Sequence, residues 1–156
     1  TQANRAVASD TPGALFVTHF AGVLDLARGE LAYCNAGQEN PWWRHAADGT
    51  ITRLVEGGGP PLCVVEDFDY GAARATLSPG DLVCVVTDGV TEARDAAGVL
   101  YGTARVVPVL AHTPSARDVV QALREDVQRF ARGVDQADDL TVLSIRWLDA
   151  QAGEAK

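Results

Sequence analysis

Positive charge is scarce in this chain. Its 13 Lys and Arg face 21 Asp and Glu, giving a net charge of −8. A protein that neutralises phosphates along a nucleic acid needs the opposite balance, so DNA and RNA are excluded as partners. All but one of the basic residues are arginine, a composition bias of the source genome. Cysteine is sparse as well. Cys34, Cys63 and Cys84 are widely separated and form no C-x-x-C pair, which argues against zinc and dithiol redox motifs. Free thiols suit a reducing compartment, so the cytoplasm is expected. There is no apolar run of about 18 residues that would span a bilayer. The opening Thr1-Gln2-Ala3-Asn4-Arg5 lacks the apolar stretch of a signal peptide. Gly57-Gly58-Gly59-Pro60 is not followed by the Lys-Ser/Thr of a phosphate loop, and no serine sits in a nucleophile elbow.

What is present is ordinary globular material. The 156 residues are 47% hydrophobic and 22% charged, enough for one domain with a sizeable core. Leu15–Leu26 and Glu30–Asn35 are rich in β-branched, aromatic and aliphatic residues around a glycine-bearing turn, the pattern of a hairpin. Pro41–Ala46 and Thr50–Val55 flank Asp48-Gly49, a strong two-residue hairpin signal. Tyr70–Leu77 leads into the turn Ser78-Pro79-Gly80-Asp81. Leu82–Thr87 is a continuous apolar run, which predicts a strand buried on both faces.

From Ser115 onward the period changes. Ala116, Val119, Val120, Leu123, Val127, Phe130 and Ala131 recur at helical spacing, with Val120, Leu123, Val127 and Phe130 expected to face a sheet. Ser115 and Asp118 resemble a capping box, and Gly133 supplies the stop. Leu140–Leu148 is a last strand, and Asp149–Lys156 reads as a frayed tail. Hairpin-connected strands, one long helix and a closing strand indicate an α+β fold with antiparallel sheets. Of Trp42 and Trp43, strand alternation turns one to the core and leaves the other for a surface. His19, His45 and His112 share no spacing that would make them metal ligands.

Chemistry is most concentrated in carboxylates at strand ends. Asp88 follows LVCVVT and precedes Gly89, while Asp138 and Asp139 precede LTVLSIRW. Oxygen ligands converging there suit a hard cation such as magnesium or manganese. Each aspartate alone also reads as a turn or a solvated strand terminus.

Four segments in order narrow the choice. TDGVTEARDAAGVLYG (Thr87–Gly102), QADDLTVL (Gln136–Leu143), LFVTHFAGVLDLARGELAYCNAG and SPGDLVCVVTDG together resemble the metal-dependent protein phosphatases, also called protein phosphatase 2C, of the bacterial stage-II-sporulation-E type. The resemblance runs from about Asn4 to Trp147. It implies a partial phosphatase domain over residues 1–148, with two antiparallel sheets sandwiched between helices in an α-β-β-α arrangement. It implies hydrolysis of phosphoserine or phosphothreonine with two Mn2+ or Mg2+ ions. The expected substrate is a phosphorylated bacterial regulatory protein, of the kind that antagonises an anti-sigma factor.

Asp88 and Asp138 correspond to metal ligands. Asp139 stands where many members carry asparagine, a position that orients the site. Glu92, one helical turn past Asp88, either faces the same cation through water or is a surface carboxylate in a helix first turn. Two features depart from the family. Its early aspartate-glycine motif has no counterpart here, so the chain reads as N-terminally incomplete and is expected to be inactive by itself. Gln38 follows Asn35-Ala36-Gly37 where the family usually has histidine. Both departures suit an alternative, a catalytically dead module that binds a regulatory protein.

Overall fold

The structure is a computed structural model that describes residues 1–10 and 15–148. The expected tail, Asp149–Lys156, lies outside the described residues. The chain divides into two compact units, Thr1–Asn40 with Val55–Leu77, and Pro41–Leu54 with Ser78–Lys156.

The first unit holds helix α1 (Gln2–Asp10) and a three-stranded antiparallel sheet, β1 (His19–Asp25), β2 (Glu30–Ala36) and β5 (Ala73–Thr76), in the order β1-β2-β5. The predicted hairpin forms, with His19 opposite Ala36 and Asp25 opposite Glu30. Its turn closes because the Asp25 carboxylate accepts from the Ala27 N–H at 2.9 Å while the Asp25 carbonyl accepts from Gly29 at 2.8 Å. Along β2 burial alternates, with Leu31, Tyr33 and Asn35 inside.

A polar clamp ties α1 to the loop after the glycine run. Asn4, fully buried, donates to the Val65 and Glu66 carbonyls at 2.9 and 2.7 Å and accepts from the Cys63 N–H at 2.8 Å. Cys63 has φ of 71°, a left-handed conformation that costs about 1–3 kcal/mol in a non-glycine residue. The three bonds to Asn4 hold that conformation in place. Nearby, Gly58 has φ of 93°, and a Cβ there would stand 1.8 Å from the Asn35 carbonyl oxygen. Only glycine lets the loop press onto the end of β2, where the Gly59 N–H donates to Asn35 at 2.9 Å.

The second unit holds a four-stranded antiparallel sheet, β3 (Trp42–Arg44), β4 (Ile51–Arg53), β6 (Leu82–Val86) and β7 (Val142–Arg146), in the order β4-β3-β6-β7. Its helices are α2 (Asp88–Thr91), α3 (Thr103–His112) and α4 (Ala116–Phe130). The Asp48-Gly49 hairpin forms, with Gly49 at φ of 74°. Strand β6 is buried almost throughout, as its apolar run predicts. The core gathers Trp42, Leu82, Cys84 and Val86 of the sheet with Val106 and Leu110 of α3 and Val119, Leu123 and Val127 of α4. Burial pushes the Cys84 thiol up to about 12, so it remains a protonated core group.

Trp42 is the tryptophan that enters the core, with the Arg53 guanidinium 3.8 Å above its ring. Trp43 is half-buried, and its indole N–H donates to Asp81 at 2.9 Å. Asp81, only 2% exposed, also accepts from the Ser78 and Ala46 N–H groups at 2.9 and 2.7 Å. One buried carboxylate thereby fastens the turn before β6 to the end of β3. Arg44 donates to the carbonyls of Leu110 and Thr113, satisfying the orphan acceptors at the end of α3.

Two sequence expectations are corrected. Helix α3 was not among the predicted elements; Pro108 inside it and the valines of its first half obscure a helical reading. On α4 the buried stripe is Val119, Leu123 and Val127, whereas Val120 and Phe130 are half-buried on its flank. A ridge of three- and four-residue steps can be placed on either neighbouring position, and the neighbouring helix α3 decides. The Ser115 cap forms as expected, accepting from the Asp118 N–H at 3.1 Å.

Leu123→Ala is expected to destabilise the chain by about 2–5 kcal/mol, and Val120→Ala by about 1 kcal/mol. Equal losses for the two variants in urea denaturation would place the core on the wrong side of α4.

Candidate active site

The proposed ligands sit where β6 and β7 leave their sheet. These strands pair antiparallel from Leu82 opposite Arg146 to Val86 opposite Val142, so β6 ends where β7 begins. Asp88 and Asp138, far apart in sequence, flank that single end of the strand pair.

Two contacts hold the flanking segments together. Thr87 donates through Oγ1 to the Asp139 carbonyl at 3.0 Å and accepts through the same oxygen from the Thr141 N–H at 3.0 Å. Its own N–H donates to the Thr141 carbonyl at 3.1 Å. Gly89 then permits the close approach: a Cβ on it would lie 2.4 Å from the Asp139 carbonyl oxygen and 3.4 Å from that of Asp138. Any larger residue pushes the two aspartate-bearing segments apart. Gly89 therefore has a spatial reason to follow Asp88. Thr87 was not singled out from sequence as a site residue, because a threonine at a strand end is common. Its signal was the threonine that opens Thr-Asp-Gly together with Thr141 on the opposing strand.

The carboxylates themselves are exposed. Asp88 opens α2 and accepts from the Gly89 N–H through Oδ1 at 3.0 Å. Asp138 accepts from the Asp139 N–H through Oδ1 at 2.7 Å, and its carbonyl accepts from Gln136 at 2.7 Å. In each aspartate the local bond engages only Oδ1. Glu92 caps the short helix, its N–H donating to the Asp88 carbonyl at 2.7 Å. Its exposed side chain lines a cavity of about 760 Å3 together with Gly89 and Asp138. Asp139 contributes its backbone carbonyl to the clamp.

A hard divalent cation needs about six oxygen ligands, part of them water. Asp88 and Asp138 have the right chemistry and leave Oδ2 outside these local bonds, so they fit as protein ligands of such an ion. Among the described residues, no group of three or more His, Cys, Asp or Glu side chains is arranged to hold a metal. In the first unit, the Asn35 side chain organises the Asn-Ala-Gly-Gln turn. It accepts from the Gln38 N–H at 2.8 Å and donates to the Gln38 carbonyl and to Asn40, both at 2.9 Å.

Comparison with known proteins places the fold. The model of the family "Stage II sporulation protein E (SpoIIE)" matches residues 1–148. The chain belongs to the SpoIIE family. It is 26% identical over 144 residues to the phosphoserine phosphatase RsbU of Bacillus subtilis, covering 92% of this chain and 42% of that protein. The chain spans 21% to 42% of the length of the curated relatives it matches. Among solved structures, the RsbU and RsbW domains of Rv1364c from Mycobacterium tuberculosis align with a TM-score of 0.73 and 26% identity over 93% of this chain and 40% of that one. The catalytic domain of the serine threonine protein phosphatase PstP, solved in complex with two manganese ions, aligns with a TM-score of 0.71 and 14% identity over 94% of this chain and 67% of that one. The SpoIIE-family chain thus has an α+β fold of the protein phosphatase 2C type. Among the described residues, no helix is long and apolar enough to cross a membrane.

Gly89→Ala is expected to cost about 1–3 kcal/mol, because the added methyl has backbone rather than a flexible side chain to displace. Thr87→Val, which keeps the shape but leaves the Thr141 N–H without the hydroxyl, should cost about 1–3 kcal/mol. Guanidinium unfolding of both variants tests the clamp; wild-type stability in both would dissolve it.

Proposed function

We propose that this chain carries part of the active centre of a metal-dependent protein serine/threonine phosphatase, with Asp88 and Asp138 as ligands of manganese or magnesium. The observation that carries the reading is the Thr87–Gly89 clamp, which brings the segment bearing Asp138 against the one bearing Asp88. Family membership supports the activity, and the manganese-bound PstP domain of like fold supports the cofactor. Such ions supply Lewis acidity, drawing charge from a phosphoryl group and acidifying water. The protein's share is positional. Asp88 and Asp138 hold charge at one end of the sheet, Gly89 keeps the two segments in contact, and Thr87 fixes their register. Asp139 orients the closing segment, and Glu92 adds a carboxylate to the cavity wall. The substrate we infer is a phosphorylated regulatory protein of the anti-sigma-antagonist type; the likeness to RsbU, a phosphoserine phosphatase, supports it.

Two carboxylates are fewer than a tightly held ion requires, so manganese is expected to bind the 156-residue chain weakly, with little hydrolysis of p-nitrophenyl phosphate. In a polypeptide that joins this chain to an upstream Asp-Gly motif, both should appear. There Asp88→Ala or Asp138→Ala should cut turnover by more than about a hundredfold, since groups one shell further out are already worth 10–100-fold. Their circular dichroism should be unchanged. Tight calorimetric binding by the chain alone would mean that another ligand completes the site. Undiminished turnover in Asp138→Ala would reduce the closing motif to a strand cap. A joined polypeptide with no turnover at all would favour a binding module.

A further inference from the structure

The cavity beside Asp138 is larger than a phosphoryl group needs and differently charged from the rest of the chain. Its volume of about 760 Å3 lies within the range of sites that enclose ligands of many atoms. One wall is the segment Gly89–Arg94 after β6, and the other is the C-terminal part of α4. The loop leading to Asp138 completes it. Three arginines, Arg94, Arg124 and Arg132, line this space against two carboxylates, Glu92 and Asp138, in a chain whose net charge is −8.

The arginines of this chain are mostly engaged elsewhere. Arg5, Arg28, Arg74 and Arg129 pair with carboxylates, and Arg44, Arg105 and Arg146 donate to backbone carbonyls. Arg94 spends one guanidinium nitrogen on the Gly98 carbonyl at 3.1 Å. Arg124 and Arg132 are exposed, and among the described residues neither has a hydrogen bond or an ion pair. They are two turns apart along α4 and its exit, with Gln128 between them on the lining face. At 1.5 Å per residue that separation is roughly 12 Å. An extended peptide rises about 3.3 Å per residue, so acidic side chains three or four positions apart reach both guanidinium groups. Guanidinium is the side chain best shaped to take a carboxylate through two parallel hydrogen bonds. Val127, Ala131 and Leu140 give the same cavity apolar lining on which aliphatic stems can rest.

We propose that this cavity seats an acidic peptide segment, with Arg124 and Arg132 as its specificity-determining residues. That the segment flanks a phosphorylated residue presented at Asp138 rests on the phosphatase reading; the anion-binding cavity itself does not. Enzyme selectivity would then come from glutamates and aspartates near the phosphorylated residue, not from the phosphoryl group that every substrate shares.

Fluorescence anisotropy without metal, at low ionic strength, tests it. The probe is a short labelled peptide in which glutamates flank a phosphoserine, compared with the same peptide carrying glutamine in place of glutamate. The glutamate peptide is expected to bind at least about tenfold more tightly. The double variant Arg124→Glu/Arg132→Glu should lose at least about tenfold, whereas Arg28→Glu/Arg74→Glu, an equal charge change in the other unit, should lose less than about twofold. Equal loss in the two double variants would show only the general field of the protein and would overturn the proposal. So would indifference to the glutamates, or no binding of either peptide. A chain that passes these tests, yet stays inactive when joined to an upstream Asp-Gly motif and supplied with manganese, would overturn the phosphatase reading alone.

Discussion

The missing side chain at Gly89 is the constraint on which the candidate site depends. The Gly89 segment approaches the Asp138–Asp139 backbone so closely that a Cβ on it would lie 2.4 Å from a carbonyl oxygen. That contact converts an ordinary antiparallel pair, β6 with β7, into a platform with a carboxylate on each departing strand. The threonine hydroxyl before it acts as donor and acceptor at once, so the platform cannot slide by a residue without losing both bonds. The strands fix where the two segments leave the sheet, and the carboxylates beside them are exposed.

Much of this was legible in the residues. Asp-Gly turns, the apolar run of β6 and the Ser115 cap are local signals, in which a few adjacent residues determine backbone conformation. The strand order and helix α4 followed from them, and so did the α+β class. The sequence put Asp88 and Asp138 at strand ends, but their roles as ligands were assigned by resemblance, because no periodicity connects positions so far apart. Thr87 and Asp81 were hidden for the same reason. Their partners, Asp139 and Thr141 for the one, Ala46 and Trp43 for the other, lie in other elements. The choice of Val119 over Val120 was equally nonlocal, being made by the surface of α3 and the sheet against which α4 rests.

Arginine does several jobs in this protein, and context sorts them. Arg44 and Arg146 reach carbonyls at the end of α3 and in the turn before β6, where a fixed planar donor closes a helix or a turn. Arg53 lies over Trp42, lending its charge to an aromatic face. Tyr101 shows the acidic counterpart: burial and its bond to Asp126 raise the phenol, keeping it a neutral donor in the core. Two of the arginines left without such partners, Arg124 and Arg132, line the cavity next to Asp138.

The Asn4 clamp has a dynamic consequence. One amide side chain satisfies three backbone groups between Cys63 and Glu66, and that same loop contains the only non-glycine residue with left-handed φ among the described residues. If α1 detaches, the loop loses its three bonds together and Cys63 relaxes to an ordinary conformation. Helix and loop therefore form a single cooperative opening unit, whose exchange with solvent is one event in place of two. Strain held by a distant helix makes that unit a natural place for the first local unfolding of its half of the chain.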